Sequence, residues 1–138
     1  MNNALSAIRG NLNTQLSEVS QLQEVAIGKS GTPSGFPFCR FFLTSITNEL
    51  KDNLPSYWRT YTFTIEIWQE LANKTVADAE ADLQDAVDAV FDKLGTEWTL
   101  DGNVDYSIVE GGTIAEVESS GGPILLASIT FSARTLIS

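Results

Sequence analysis

Apolar residues at Leu5, Ile8, Leu12, Leu16 and Val19 recur every three or four positions, a spacing that predicts an amphipathic helix at the start of the chain. Leu22 and Val25 continue the same stripe, so the helix has room to run past Ser20. Gly10 costs that helix about 1 kcal/mol relative to alanine, so packing of the stripe must hold it. From Gly28 to Pro37 the pattern breaks into a loop punctuated by Gly28, Gly31, Pro33, Gly35 and Pro37. Phe38 to Ser45 is aromatic and β-prone and reads as a first strand that can run on towards Leu50. Lys51 to Ser56 then turns the chain.

Tyr57 to Glu70 carries the clearest two-residue alternation. Tyr61, Phe63, Ile65 and Ile67 point one way, and Thr60, Thr62, Thr64, Glu66 and Trp68 the other. Fully extended, this strand reaches roughly 45 Å, which predicts that part of its hairpin projects beyond the sheet. The period changes again at Thr75, where Thr75 and Asp78 suit a relaxed capping box. Val76, Ala79, Leu83, Val87, Val90 and Leu94 form a second helical stripe, flanked by Ala86 and Phe91, with Gly95 as the expected stop. Val104 to Glu110 reads as a third strand, resuming at Thr113 to Glu118 after Gly111-Gly112. Ser119 to Pro123 turns into a fourth strand, Ile124 to Leu136.

Each helix has one apolar stripe and each strand one apolar face. The expected architecture is therefore an α+β two-layer sandwich: a mainly antiparallel four-stranded sheet packed by two helices, in the order α-β-β-α-β-β. At 138 residues the chain is expected to form one domain over residues 1–138.

Composition narrows the chemistry. There is no histidine, which removes Ser-His and Cys-His catalysis and the commonest transition-metal ligand. The single cysteine, Cys39, sits among Phe38, Phe41 and Phe42 and reads as a buried structural thiol. Gly28-Lys29-Ser30 resembles the end of a phosphate-binding loop, but its earlier glycine would fall at position 23, which is Gln. Asp78, Asp82, Asp85, Asp88 and Asp92 share the outer side of the second helix and read as a solvated face, without the oxygen-rich loop that calcium prefers. Tyr57, Tyr106, Glu66, Glu110 and Glu116 can be assembled into an acid–base site on paper, yet no spacing compels it. The expectation is that the chain is no enzyme, with no catalytic residue, cofactor or metal.

Net charge is −10, from 8 basic and 18 acidic residues, and the basic residues are scattered. Clamping nucleic acid needs a basic stripe, so specific binding is not expected; a surface that lets DNA slide past suits this balance better. No apolar run is long enough to span a bilayer, and the N-terminus lacks the pattern of a signal peptide. A soluble protein made and kept in a cytoplasm is expected.

The order of elements resembles the tail terminator proteins of long-tailed bacteriophages along essentially the whole chain. The stretches that carry the resemblance are the N-terminal helix, Gly35-Phe36-Pro37-Phe38, the strand Tyr61-Thr62-Phe63-Thr64-Ile65-Glu66-Ile67, the helix from Val76 to Leu94, and Phe131-Ser132-Ala133-Arg134 in the last strand. The family has no strict motif from which functional residues can be carried over one by one. The resemblance implies a ring, usually a hexamer, that caps the tail tube, ends its polymerisation and presents a surface for head attachment. Its partners would be further copies of itself, the tail tube protein and a head-completion or connector protein, with DNA passing through the lumen without specific binding and no membrane involved. The place implied is the tail or neck of a virion, assembled in a host cytoplasm. Another neck or tail-completion connector is the nearest rival. A small ligand-binding or enzymatic α+β domain is the rival of a different class, and a polar pocket between sheet and helices would distinguish it.

Interface candidates come from the polar-facing side of the strands and the loops. Trp58, Trp68 and Trp98 are the first, because tryptophan on a polar face often anchors a contact. Equally, they can cover the far side of the monomer's own sheet. Arg40 and Arg134 can pair with the acidic helix of a neighbouring subunit or form a local ion pair. The loop from Gly28 to Pro37 is either a docking segment or a plain connector.

Overall fold

A computed structural model describes residues 4–29, 33–50, 56–72, 74–119 and 122–137. The elements are α1 (Ala4–Ser17), β1 (Glu24–Ile27), β2 (Phe38–Leu50), β3 (Tyr57–Glu70), α2 (Val76–Thr96), β4 (Tyr106–Ser119) and β5 (Gly122–Ile137). They build a five-stranded mixed sheet in the order β1-β2-β3-β5-β4.

This overturns the expected four-stranded sheet and the order α-β-β-α-β-β. The added element is β1, which pairs in parallel with β2 from Glu24↔Phe38 to Ile27↔Phe41. The Leu22–Val25 stretch therefore belongs to a strand entry, and α1 stops at Ser17. A parallel strand this short has no local signature. It exists because β2 offers an edge to a segment that is far too short to show alternation. The remaining pairings, β2 with β3, β3 with β5 and β4 with β5, are antiparallel.

One apolar core joins both helices to one face of the sheet. Alternation on β3 is as the sequence indicates: Tyr61, Phe63, Ile65 and Ile67 are buried, and β5 matches with Leu125, Ala127, Ile129, Phe131 and Ala133. Phe63 lies at the centre, its ring 6.2 Å from Phe41 and 6.5 Å from Phe131. On α2 the buried positions are Ala79, Leu83, Ala86, Val90 and Leu94, whereas Val76 is exposed and Val87 only half-buried. Ala86 replaces Val87 at the contact because a small residue lets the helix approach the sheet closely.

The ends of α2 divide. Thr75 is the N-cap, its Oγ1 accepting from the Asp78 amide at 3.1 Å. Gly95 is no stop: the helix continues to Thr96, and the Glu97 amide caps it by donating to the Lys93 carbonyl. The chain reverses farther on, at Leu100 and Asp101 (φ 50° and 58°) and Gly102 (φ 80°), with Leu100 fully buried as the anchor. β4 runs unbroken through Gly111-Gly112, absorbing the irregularity as a bulge between Val109 and Gly111. A Cβ at Gly112 would lie 2.8 Å from the Ser128 carbonyl oxygen, so glycine there permits the close approach of β5.

The long hairpin does not leave the sheet, since β5 pairs with β3 along its full length from Tyr57 to Glu70. It projects beyond the helices instead. Every β2 residue from Thr44 to Leu50 is exposed. The turn expected at Lys51–Ser56 falls almost wholly outside the described residues, as do residues 30–32 of the Gly28–Pro37 loop; of Ser119–Pro123 only residues 120 and 121 do, since Ser119 pairs with Gly122 as β4 meets β5.

Candidate interface on the outer sheet face

The face of the sheet turned away from the helices carries most of the residues singled out above. Residues that pair across strands share a face, so the even-numbered positions of β3 and their partners on β2 and β5 all project outward. Two aromatic–arginine clusters stand at opposite ends of this face. Trp58 and Trp68, both on β3, are separated by roughly 34 Å of extended strand.

At one end, Arg40 Nε donates to Glu66 Oε1 at 2.6 Å, and Trp68 Nε1 donates to the same oxygen at 3.2 Å. The Arg40 guanidinium lies 4.7 Å from the Trp68 ring centre, and a further N–H donates to the Lys29 carbonyl. Lys29 Nζ sits 4.8 Å above the Phe42 ring, and Phe38 meets Trp68 edge-on at 5.8 Å. The side chains of the Arg40–Glu66 pair are only 17% and 14% exposed, so solvent screens them weakly. The loop leading into β2 thus folds back onto this end of the face.

At the other end, Arg134 Nη1 donates to the Tyr106 hydroxyl at 2.7 Å and Nη2 to Glu49 at 3.1 Å. Its guanidinium lies 4.9 Å from the Trp58 ring, and Trp58 meets Tyr106 edge-on at 6.2 Å. Between the clusters the face is a belt of hydroxyls: Thr60, Thr62, Thr64, Ser128, Thr130 and Ser132. Ser132 donates to Glu110 at 2.7 Å.

Four of the five sequence candidates therefore converge in pairs, Arg40 with Trp68 and Arg134 with Trp58. Both arginines are engaged within the chain. Trp98 stands apart in the turn after α2, 53% exposed, its carbonyl accepting from Ser107 Oγ at 2.8 Å. Glu49, which sequence reasoning passed over, and Tyr106, named there only for an acid–base set, complete the Arg134 cluster. The exposed apolar side chains Ile46, Leu50, Ile108 and Ile114 were passed over too. Only strand register brings Glu49 and Arg134 together across β3, and no local pattern announces it.

The helix side differs in charge. Asp78, Asp85, Asp88 and Asp92 are exposed along α2, while Lys74 pairs with Asp82, and Lys93 with Glu18 at 2.8 Å. Each lysine is shifted above its ordinary pKa, chiefly by the hydrogen bond to its carboxylate. Cys39 lies in the core, where burial, aided by Glu66, pushes its thiol up to about 12. Among the described residues no group of three or more His, Cys, Asp and Glu stands where it could hold a metal ion. Surface grooves are open and lie beside α2, under the N-terminal end of α1, and between Glu80 and Leu125.

No family model and no curated protein matches this sequence. Among solved structures, a chain of the virion of a native gene transfer agent particle is similar from end to end, with a TM-score of 0.54 over 99% of this chain and 100% of that one. The two share 13% of their residues, so the likeness is one of fold.

Proposed function

We propose that this chain is a structural subunit of a phage-like virion, and that it works in the tail or neck as a ring that caps the tail tube. In that role it would end tube polymerisation and offer a head-attachment surface, with no chemical step. The observation that carries the reading is the end-to-end fold match to a chain of a gene transfer agent virion, at nearly full coverage of both chains.

Two features of the molecule support it. The centre of the inner sheet face is filled by side chains, with Phe41, Phe63, Ile65, Ile67 and Phe131 at or below 1% exposure, and the grooves between sheet and helices lie at its margins. The acidic outer side of α2 suits a surface that must not hold DNA. Trp58, Trp68, Arg40 and Arg134 on the outer sheet face, with Trp98 at the turn, are the proposed contacts to neighbouring subunits or to the tube. A hexamer, the tube protein and a head-completion protein are the proposed partners.

Native mass spectrometry over a concentration series, with negative-stain imaging and added tail tubes, tests this. A closed ring with a central hole, seated at one end of the tubes, is the expected result. A ring that binds isolated heads and ignores tubes would move the protein to a connector role. Binding to neither heads nor tubes would sink the virion reading.

A further inference from the structure

Besides the outer side of the four-residue β1, two long strand edges of the sheet find no partner among the described residues. β1 covers β2 only over Phe38–Phe41, which leaves Phe42–Leu50 open. On the other side β4 is terminal, open along Tyr106–Ser119. Proteins that stay monomeric blunt such edges with lysine, proline, bulges, inward-pointing charges or a covering segment. Neither open segment contains Lys, Arg or Pro, though each holds one bulge and β4 has Glu116 on the helix side. Both instead expose large apolar side chains: Ile46 at 48% and Leu50 at 73%, against Ile108 at 55% and Ile114 at 51%.

Strand polarity selects the occupant. β2 and β3, β3 and β5, and β5 and β4 are each antiparallel, so β4 runs opposite to β2. A second copy set alongside in the same orientation presents its β2 to β4 in antiparallel sense, and the alternation continues across the join. A symmetric β4–β4 contact would use one edge, stop at a dimer and leave β2 open.

Side-chain chemistry agrees with that placement. On the helix side of the open β2 segment, Ile46 and Asn48 line a groove with Ala4, Leu5, Arg59 and Tyr61. On β4, Ile114 and Glu116 pair with the core-facing Ala127 and Leu125 and so project to the same side of the sheet. Ile114 on one edge and Ile46 on the other thus stand on the same side of their sheets, where a continued sheet brings the two exposed side chains together.

We infer that copies of this chain join head to tail by antiparallel β-strand addition, β4 of one along Phe42–Leu50 of the next, with Ile114 against Ile46 on the helix side of the continued sheet. The inference rests on the ring reading and specifies its contact. β1 has a defined part in it: by occupying the near end of β2 it confines the neighbour to the far end, which fixes the stagger between adjacent subunits.

The test uses the full chain with Ile46→Lys and Ile114→Lys, each at a site about half exposed in the monomer. Both variants should keep the wild-type circular dichroism and melting temperature, and each should weaken self-association at least about tenfold. Mixed together, each supplies the edge the other lacks, so a one-to-one dimer that grows no further should form. Assembly surviving in Ile46→Lys but lost in Ile114→Lys would mean β4–β4 pairing and would overturn the inference. So would a wild-type ring that neither substitution disturbs, which leaves the ring reading intact. A wild-type chain monomeric at every concentration also overturns it, while recruitment of that monomer to tail tubes would separately keep the virion reading.

Discussion

Burial separates side chains of the same type on this surface. Glu66 and Glu49 each hold an arginine, but the Glu66 pair is mostly covered and also serves Trp68 Nε1, whereas the Glu49 side chain is 74% exposed. Glu66→Ala, which strands Arg40 and the indole N–H, should cost about 1.5–3 kcal/mol in urea unfolding. Glu49→Ala should cost at most about 1 kcal/mol. Equal losses would show that burial does not set the difference. Gly112→Ala pushes a methyl against the Ser128 carbonyl and should cost about 1–3 kcal/mol. Cys39 has a sharper signature. Its folded pKa is raised from 9.0 to about 12, so the folded state keeps the proton that the unfolded chain gives up. Its contribution is complete below about pH 9 and is lost as pH climbs from there towards 12. Melting temperature should therefore fall more steeply above about pH 9 in the wild type than in Cys39→Ala. Thiol reagents should leave native Cys39 untouched until the protein unfolds.

Elements in this fold are held unequally. β3 is the spine, paired with β5 from Tyr57 to Glu70 and with β2 from Tyr57 to Trp68, and its inner face is the centre of the core. β2 is buried where Phe38, Cys39 and Phe41 enter the structure; beyond Leu43 it has a strand partner on one side, and only the N-terminal end of α1 borders it across an open groove. Amides of Ile65 and Ile67 should thus exchange most slowly. The outward amides of Thr44–Leu50 should exchange quickly in the isolated chain and slow on assembly, as hydrogen-exchange mass spectrometry would record. No slowing in that segment on ring formation would count against strand addition there. The α2 cap is a smaller, local matter, and Thr75→Ala should cost about 1 kcal/mol of stability.

The whole molecule is two-sided. Acids dominate the outer surface of α2, while the outer sheet face pairs tryptophans with arginines at its ends and hydroxyls between them. A face whose arginines are already held against aromatic rings is preorganised for protein contact. Trp58→Ala with Trp68→Ala should leave the isolated chain folded and reduce recruitment to tail tubes by at least about tenfold. Unchanged recruitment would assign these rings to covering their own sheet. At −10 net charge the protein should show no measurable affinity for duplex DNA in mobility shifts at moderate salt.

Period and composition alone determined the residues that face inward. Alternation at Tyr61–Ile67 and Leu125–Ala133, the stripe Ile8–Leu12–Leu16, and the Thr75 cap are local patterns, because a strand or helix dictates which neighbours share a side. The Trp58, Trp68, Arg40 and Arg134 candidates were also legible, as large or charged residues on a polar strand face. Tertiary structure decided everything that depends on partners distant in sequence. β1 is four residues that become a strand only against β2. Ala86 displaced Val87 because the sheet needs close approach, and Gly95 was passed over because the anchoring Leu100 lies five residues later. The meeting of Glu49 with Arg134, and the two open edges at opposite sides of one sheet, follow from register and strand order. Those are properties of how the strands choose one another, and no single segment encodes them.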